Sequence, residues 1–150
     1  MKKIINRKAR FNYELLERVE AGIVLKGAEV KSVKLGQISL KEAFCRVDDK
    51  DELWLHNAHI HPYKFADNTD YEPTRARKLL LKKREILGLV KKVEGKNLAL
   101  VPTAIYTKRN RIKVEIALGK GKKKWDKRKA IKDREQKREA RAAMKHKART

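Results

Sequence analysis

The chain has a single cysteine, Cys45, so no disulfide can form within it and a cystine-stapled fold is excluded. It has no stretch of about 18 apolar residues, so no membrane-spanning helix is encoded. Met1 to Phe11 turns basic on both sides of Ile4 and Ile5 and lacks the apolar run of a secretory signal. A reducing, cytoplasmic setting is the expectation. Acids are the minority, 19 against 41 Lys and Arg, for a net charge of +22. Glycine and proline are absent after Gly121, and residues 120–150 contain no Phe, Tyr, Leu or Val. That segment has 15 basic and 4 acidic residues. It cannot bury enough apolar surface to offset its ordering entropy.

What is present divides the chain in two. Residues 1–119 spread 26 basic and 15 acidic residues over a sequence with regular apolar patterning. Ile23, Val24 and Leu25 between Gly22 and Gly27 read as a strand ended by a turn. AEVKSVKLG reads as a short helix stopped at Gly36. Ser39 and Glu42 have capping-box spacing, although the residues after Glu42 are strand-like. AFCRVDDKDELWLHNAHI places two apolar segments around an acidic turn and predicts a hairpin. Ala66 to Pro73 reads as a loop. Arg77 to Val93 has near-helical apolar spacing and predicts a helix, with Gly95 after it. Asn97–Tyr106 and Arg111–Leu118 read as strands joined by the basic turn Thr107 to Asn110. The fold expected is mainly β, an OB-type antiparallel barrel with accessory helices, with a small α+β sandwich as the alternative. Residues 120–150 read as a basic C-terminal tail of good helix formers with a thin apolar stripe, expected to be partly or wholly disordered when free and helical once an anionic groove neutralises it.

Catalytic and metal chemistry find little support. GKGKKKWD lacks the Gly-Lys-Ser/Thr ending of a phosphate loop. His59 and His61 share a strand face, but neither a cysteine nor a paired acid completes a metal set. No nucleophile constellation is evident, and Cys45 reads as a small core residue. No cofactor is implied. Binding to a polyanion is well supported, because a charge this high repels itself unless something screens it. Three basic clusters supply it: Arg7, Lys8 and Arg10; Arg75, Arg77 and Lys78; and the tail. In GKGKKKWDKR the lysines suit phosphates, and Trp125 can stack on a base, which contributes about 1–3 kcal/mol. The alternative is that Trp125 docks back on the barrel. Gly119 and Gly121 read as a pivot for the tail.

NRKARFNY, EAGIVLKGAEVKSVKLG, Tyr71 through EPTRARKLLLKKREI, and ALGKGKKKWDKR with IKDRE after it resemble the SmpB family, the SsrA-binding proteins of bacterial trans-translation. The resemblance covers nearly the whole chain. It implies an OB-type body that binds the tRNA-like domain of tmRNA (SsrA RNA) and no enzymatic activity. It implies delivery of alanyl-tmRNA, with elongation factor Tu, to 70S ribosomes stalled on messages without a stop codon. The tail would then occupy the decoding centre and mRNA channel. Asn6, Glu20, Leu80 and Lys113 fall where the family contacts RNA, and Lys120, Lys122 and Lys123 match its G-K-K element. Asp126, Lys127 and Arg128 match D-K-R, so Lys124, Trp125, Ile131 and Lys132 join them as the expected ribosome-facing set. Glu20 has two open roles: accepting from a base or 2′-hydroxyl, or orienting a cation. Leu80 is core or an apolar shelf, and periodicity favours core. The rivals are a structural ribosomal protein that binds ribosomal RNA, a DNA-compacting protein and, last, an RNA-modifying enzyme.

Overall fold

The computed structural model describes residues 1–149, and the side chains of residues 1–145. The elements run β1 (Ile4–Ile5), α1 (Arg7–Asn12), β2 (Tyr13–Ile23), α2 (Gly27–Lys34), β3 (Ile38–Ser39), β4 (Phe44–Val47) and β5 (Leu53–His56), then β6 (His59–Ile60), β7 (Arg77–Leu80), α3 (Lys83–Lys96), β8 (Ala99–Lys108), β9 (Arg111–Gly121) and α4 (Lys124–Arg149). A seven-stranded antiparallel sheet has the order β1-β8-β9-β2-β7-β5-β4, and β3 pairs with β6 in a small second ladder. The large sheet curls until β4 approaches β8 without pairing with it, giving a barrel-like sheet that is not closed. Two irregularities help it bend. The β2–β9 register shifts between Leu15 and Arg18, and the β8–β9 register shifts at Pro102. A bulge tightens local twist, and it tolerates a proline that has no N–H to donate.

Strand alternation separates the two faces. Leu53, Leu55, Leu79, Ile105, Val114 and Ile116 point inward and are fully buried. α3 packs Ile86 and Leu89 onto this core, with Val90 and Val93 beside them. The β8–β9 hairpin closes on Arg109 and Asn110, both left-handed at φ 52° and 62°. That is the turn geometry whose twist matches paired strands. At the end of α2, Gly36 adopts φ +78°, and Gln37 N–H donates to Ser32 O at 2.9 Å, so this helix stops where the sequence predicts.

Four readings of the sequence are decided by the structure. Arg77–Leu80 is strand β7, and helix α3 starts only at Lys83. The triplet Leu79-Leu80-Leu81 fits either period, and β7 gains ladders on both sides, to β5 and to β2. Gly95 lies within α3, which ends instead on left-handed Asn97 (φ 51°), where Leu98 N–H donates to Val93 O. Gly119 and Gly121 are not a pivot but residues of β9, paired with Leu15 and Tyr13. A Cβ on Gly119 would stand 3.0 Å from Tyr13 Cδ1, so glycine is there to let the Tyr13 ring lie against the strand. The capping-box spacing at Ser39 and Glu42 starts no helix, because Ser39 is in β3 and Glu42 pairs with Lys8 at 2.8 Å.

Candidate nucleic-acid interface

The outward face of the sheet is built from cross-strand neighbours, which share a side of the pleat. One row runs Tyr106–Lys113–Gly22–Leu80 across β8, β9, β2 and β7. Leu80 is 50% exposed, so it is an apolar shelf and not core, against what helical periodicity favours. Leu79 takes the inward position. A Cβ at Gly22 would meet Leu80 Cβ at 3.3 Å. Glycine there lets the leucine lie across β2 toward Lys113, and these three share a shallow depression with Ile23 and Arg111.

Glu20 lies two residues before Gly22 on the same face. Tyr106 donates its hydroxyl hydrogen bond to Glu20 Oε2, and Lys108 Nζ stands 3.5 Å from Oε1. The hydrogen bond from Tyr106 holds the Glu20 carboxyl below its ordinary range against the opposing effect of burial, with Lys108 and Lys113 adding to it. Glu20 therefore stays ionised and anchors a tyrosine and a lysine at the rim of a hollow lined by Lys108, Arg109, Arg111 and Lys113. Lys3 Nζ stands 5.2 Å from the centre of the Tyr106 ring. Of the two roles open in the sequence, orientation of a cation is the one with a contact in this geometry. Tyr106, Lys108, Arg109 and Arg111 are absent from the sequence-derived site. The basic turn was their signal, but nothing in the spacing showed that Glu20 folds against it.

A second basic surface forms at the other end of the β2–β9 ladder. Arg7 and Arg10 are exposed on α1, and Lys8 is tied to Glu42. Lys122 N–H donates to Asn12 O at 2.9 Å, and its Nζ donates to Arg10 O at 3.2 Å. Lys120 and Lys123 are exposed beside it. Lys113 and Lys120 are separated by seven residues of β9, roughly 23 Å of strand. From this end α4 leaves as a helix of 26 residues, about 39 Å long. Trp125 is 62% exposed near its start and does not dock on the sheet. Lys124, Arg128, Ile131 and Lys132 are exposed, and Asp126 and Lys127 are half-buried.

The first and second basic clusters dissolve in part. Asn6 is only 5% exposed. Its Oδ1 accepts from Ala9 N–H as the cap of α1, and its Nδ2 donates to Leu40 O and Pro102 O. That amide joins three segments of the fold, with both Nδ2 hydrogens and its Oδ1 engaged inside the protein. Arg77 is fully buried, donating through Nε and Nη2 to Glu29 Oε2 at 2.9 and 2.6 Å and through Nη1 to Ala58 O. Arg75 bonds to Glu29 Oε1. Lys78 stands 3.6 Å from Glu52. The sequence shows a basic run; β7 alternation turns Arg77 inward, and the α2 carboxylate ties down the half-buried Arg75 ahead of the strand. Cys45 is half-buried, and burial pushes its thiol well above the ordinary range, which keeps it protonated. The His59 and His61 rings lie 6.5 Å apart, and among the described residues no acid, His and Cys group is arranged to hold a metal. No helix among them is long and apolar enough to cross a membrane.

A curled, basic, antiparallel sheet with an aromatic and apolar shelf among its cations defines the class: a nucleic-acid-binding protein of OB type. The family model described as "SmpB protein" matches residues 3–146. An "SsrA-binding protein" of Persephonella marina is 51% identical over 134 residues, covering 89% of this chain and 88% of that protein. One of Carboxydothermus hydrogenoformans is 49% identical over 146 residues, covering 96% and 97%. A chain from the structure "tmRNA-SmpB: a journey to the center of the bacterial ribosome" superposes with a TM-score of 0.67 at 44% identity, covering 86% of this chain and 94% of that one. The chain belongs to the SmpB family.

Proposed function

We propose that this chain binds the tRNA-like domain of tmRNA and delivers it to stalled ribosomes for trans-translation, working as an adaptor without catalysis. The observation that carries the reading is the placement of two basic surfaces at opposite ends of one β2–β9 ladder. The sheet face with Glu20, Leu80, Lys113 and the 108–111 turn takes the RNA. The α1–β9 end, with Arg7, Arg10, Lys120, Lys122 and Lys123, leads into α4. Lys124, Trp125, Asp126, Lys127, Arg128, Ile131 and Lys132 then meet the decoding centre and mRNA channel. Elongation factor Tu accompanies the alanyl-tmRNA, and the setting is the cytoplasm. Asn6, Arg75 and Arg77 serve this function as supports of the fold.

Filter binding of residues 1–121 tests the division of labour; the cut follows Gly121 because β9 pairs that far. The truncated body is expected to bind the tRNA-like RNA almost as tightly as the full chain. If about five phosphates are neutralised, the slope of log K against log salt should lie near −3.5 to −4.5. A thousandfold loss, about 4 kcal/mol, would move the RNA site into the tail. A slope near zero would remove the basic residues from the interface.

A further inference from the structure

Phe65, in the loop between β6 and β7, is 79% exposed, the most exposed of the large apolar side chains among the described residues. It is not at a frayed end. Ala66 N–H donates to Tyr63 O at 3.1 Å, closing a turn around Lys64 and Phe65. Asn68 Nδ2 donates to Tyr63 O and Ala66 O at 2.9 and 3.2 Å, locking that turn from behind. The base of the loop is pinned by Ile60 N–H to Pro73 O at 3.0 Å and by the Tyr71 hydroxyl to Ile60 O at 2.9 Å. Arg77 Nη2 in turn donates to the Tyr71 hydroxyl at 3.2 Å. The buried Glu29–Arg77 pair therefore also holds the loop that displays Phe65.

The ring is set among cations. Tyr63 meets it edge-on, with centroids 5.6 Å apart at 69°. Lys64 Nζ lies 5.6 Å from the Phe65 centroid, and Lys31 Nζ of α2 lies 5.4 Å from that of Tyr63. Two of the loop's acids are turned onto their own neighbours, Asp67 to Thr69 and Glu72 to Thr74. An apolar pocket on a protein partner would have to strip water from both ammonium groups, which is costly without a counter-charge. A nucleotide offers a π-face to the ring and a phosphate to the lysines together.

We propose that Phe65, backed by Tyr63 and flanked by Lys31 and Lys64, is a stacking site for one unpaired RNA base, separate from the Glu20–Lys113 face. This rests on the adaptor reading above. Because the loop is already ordered, little conformational freedom is lost on stacking, and the side chain is exposed enough that its replacement leaves the core untouched.

The test uses the full chain with purified tmRNA and stalled ribosomes. With benzoylphenylalanine at position 65, the photo-crosslink should fall on an RNA nucleotide. Phe65→Ala should weaken the complex about five- to 150-fold, the range expected for one base–aromatic stack. Phe65→Trp, which keeps a π-face, should bind as the unsubstituted chain does. A crosslink only to protein, or Phe65→Ala binding within twofold, would overturn the proposal. Failure of the unsubstituted chain to bind tmRNA would instead overturn the adaptor reading on which it rests.

Discussion

Glu29→Ala is expected to destabilise the fold by about 3–5 kcal/mol, the usual cost of removing one partner of a buried ion pair. Glu29 is 1% exposed and accepts from Lys26 N–H, from Arg75 and from two nitrogens of Arg77, with the Tyr71 hydroxyl 3.4 Å from its Oε2. Alanine leaves the Arg77 guanidinium, itself fully buried, without a counter-charge. Urea unfolding measures the loss, and a cost under about 1 kcal/mol would mean that water or another acid takes over the guanidinium. Acid tests the same pair. Burial pushes the Glu29 carboxyl up, but the Lys26 N–H and the two arginines outweigh it and hold it below its ordinary 4.5. The folded state thus takes up this proton less readily than the unfolded chain. The stabilisation is complete above the ordinary value and is lost as pH falls through the lower folded one. Glu29→Gln should be less stable at neutral pH, and the gap to the unsubstituted protein should narrow below about pH 4.5.

Replacing Asp126, Lys127 and Arg128 together is expected to abolish most peptide tagging on stalled ribosomes while RNA binding by the body stays within a few-fold. These residues lie at the start of α4, about 20 Å or more along the chain from the Lys113 row by strand rise alone. Trp125→Ala should weaken ribosome engagement by about 1–3 kcal/mol if the indole stacks there. Its exposure gives it no structural duty in the body, so unfolding midpoints should not move. Trp54 shares the fluorescence signal and donates its indole N–H to Asp48 at 2.9 Å. A Trp54→Phe background therefore isolates Trp125, whose emission should be red-shifted when free and should change on adding stalled ribosomes. Loss of RNA binding with tagging spared would reverse the roles of body and tail.

Much of this architecture is legible from local pattern. The hairpin around Asp48 to Glu52, the stop at Gly36 and the β8–β9 pair arise from alternation and turn residues that act within a few positions. The helix start at Lys83 is not legible, because three consecutive leucines satisfy a strand and a helix equally and only the flanking strands β5 and β2 decide. The site divides the same way. Basic character shows in composition, but Arg77 looks like Lys113 until β7 places one against Glu29 and β9 places the other on the open face. Glu20 and Tyr106 are 86 residues apart, and only the β8–β9–β2 register brings them together. Gly119 shows the opposite error. A glycine in a lysine run suggests flexibility, yet its missing side chain is needed for the Tyr13 ring inside a rigid ladder.

The most direct test of the central claim is to isolate the protein with its RNA from cells and sequence that RNA. The adaptor account predicts one dominant species with a tRNA-like acceptor end, lost on replacing Lys113 and Arg111 together but retained when α4 is cut at Gly121. Recovery of bulk ribosomal RNA or of DNA without that tRNA-like species would contradict it, and would mark the chain as a structural ribosomal component or a nonspecific polyanion binder.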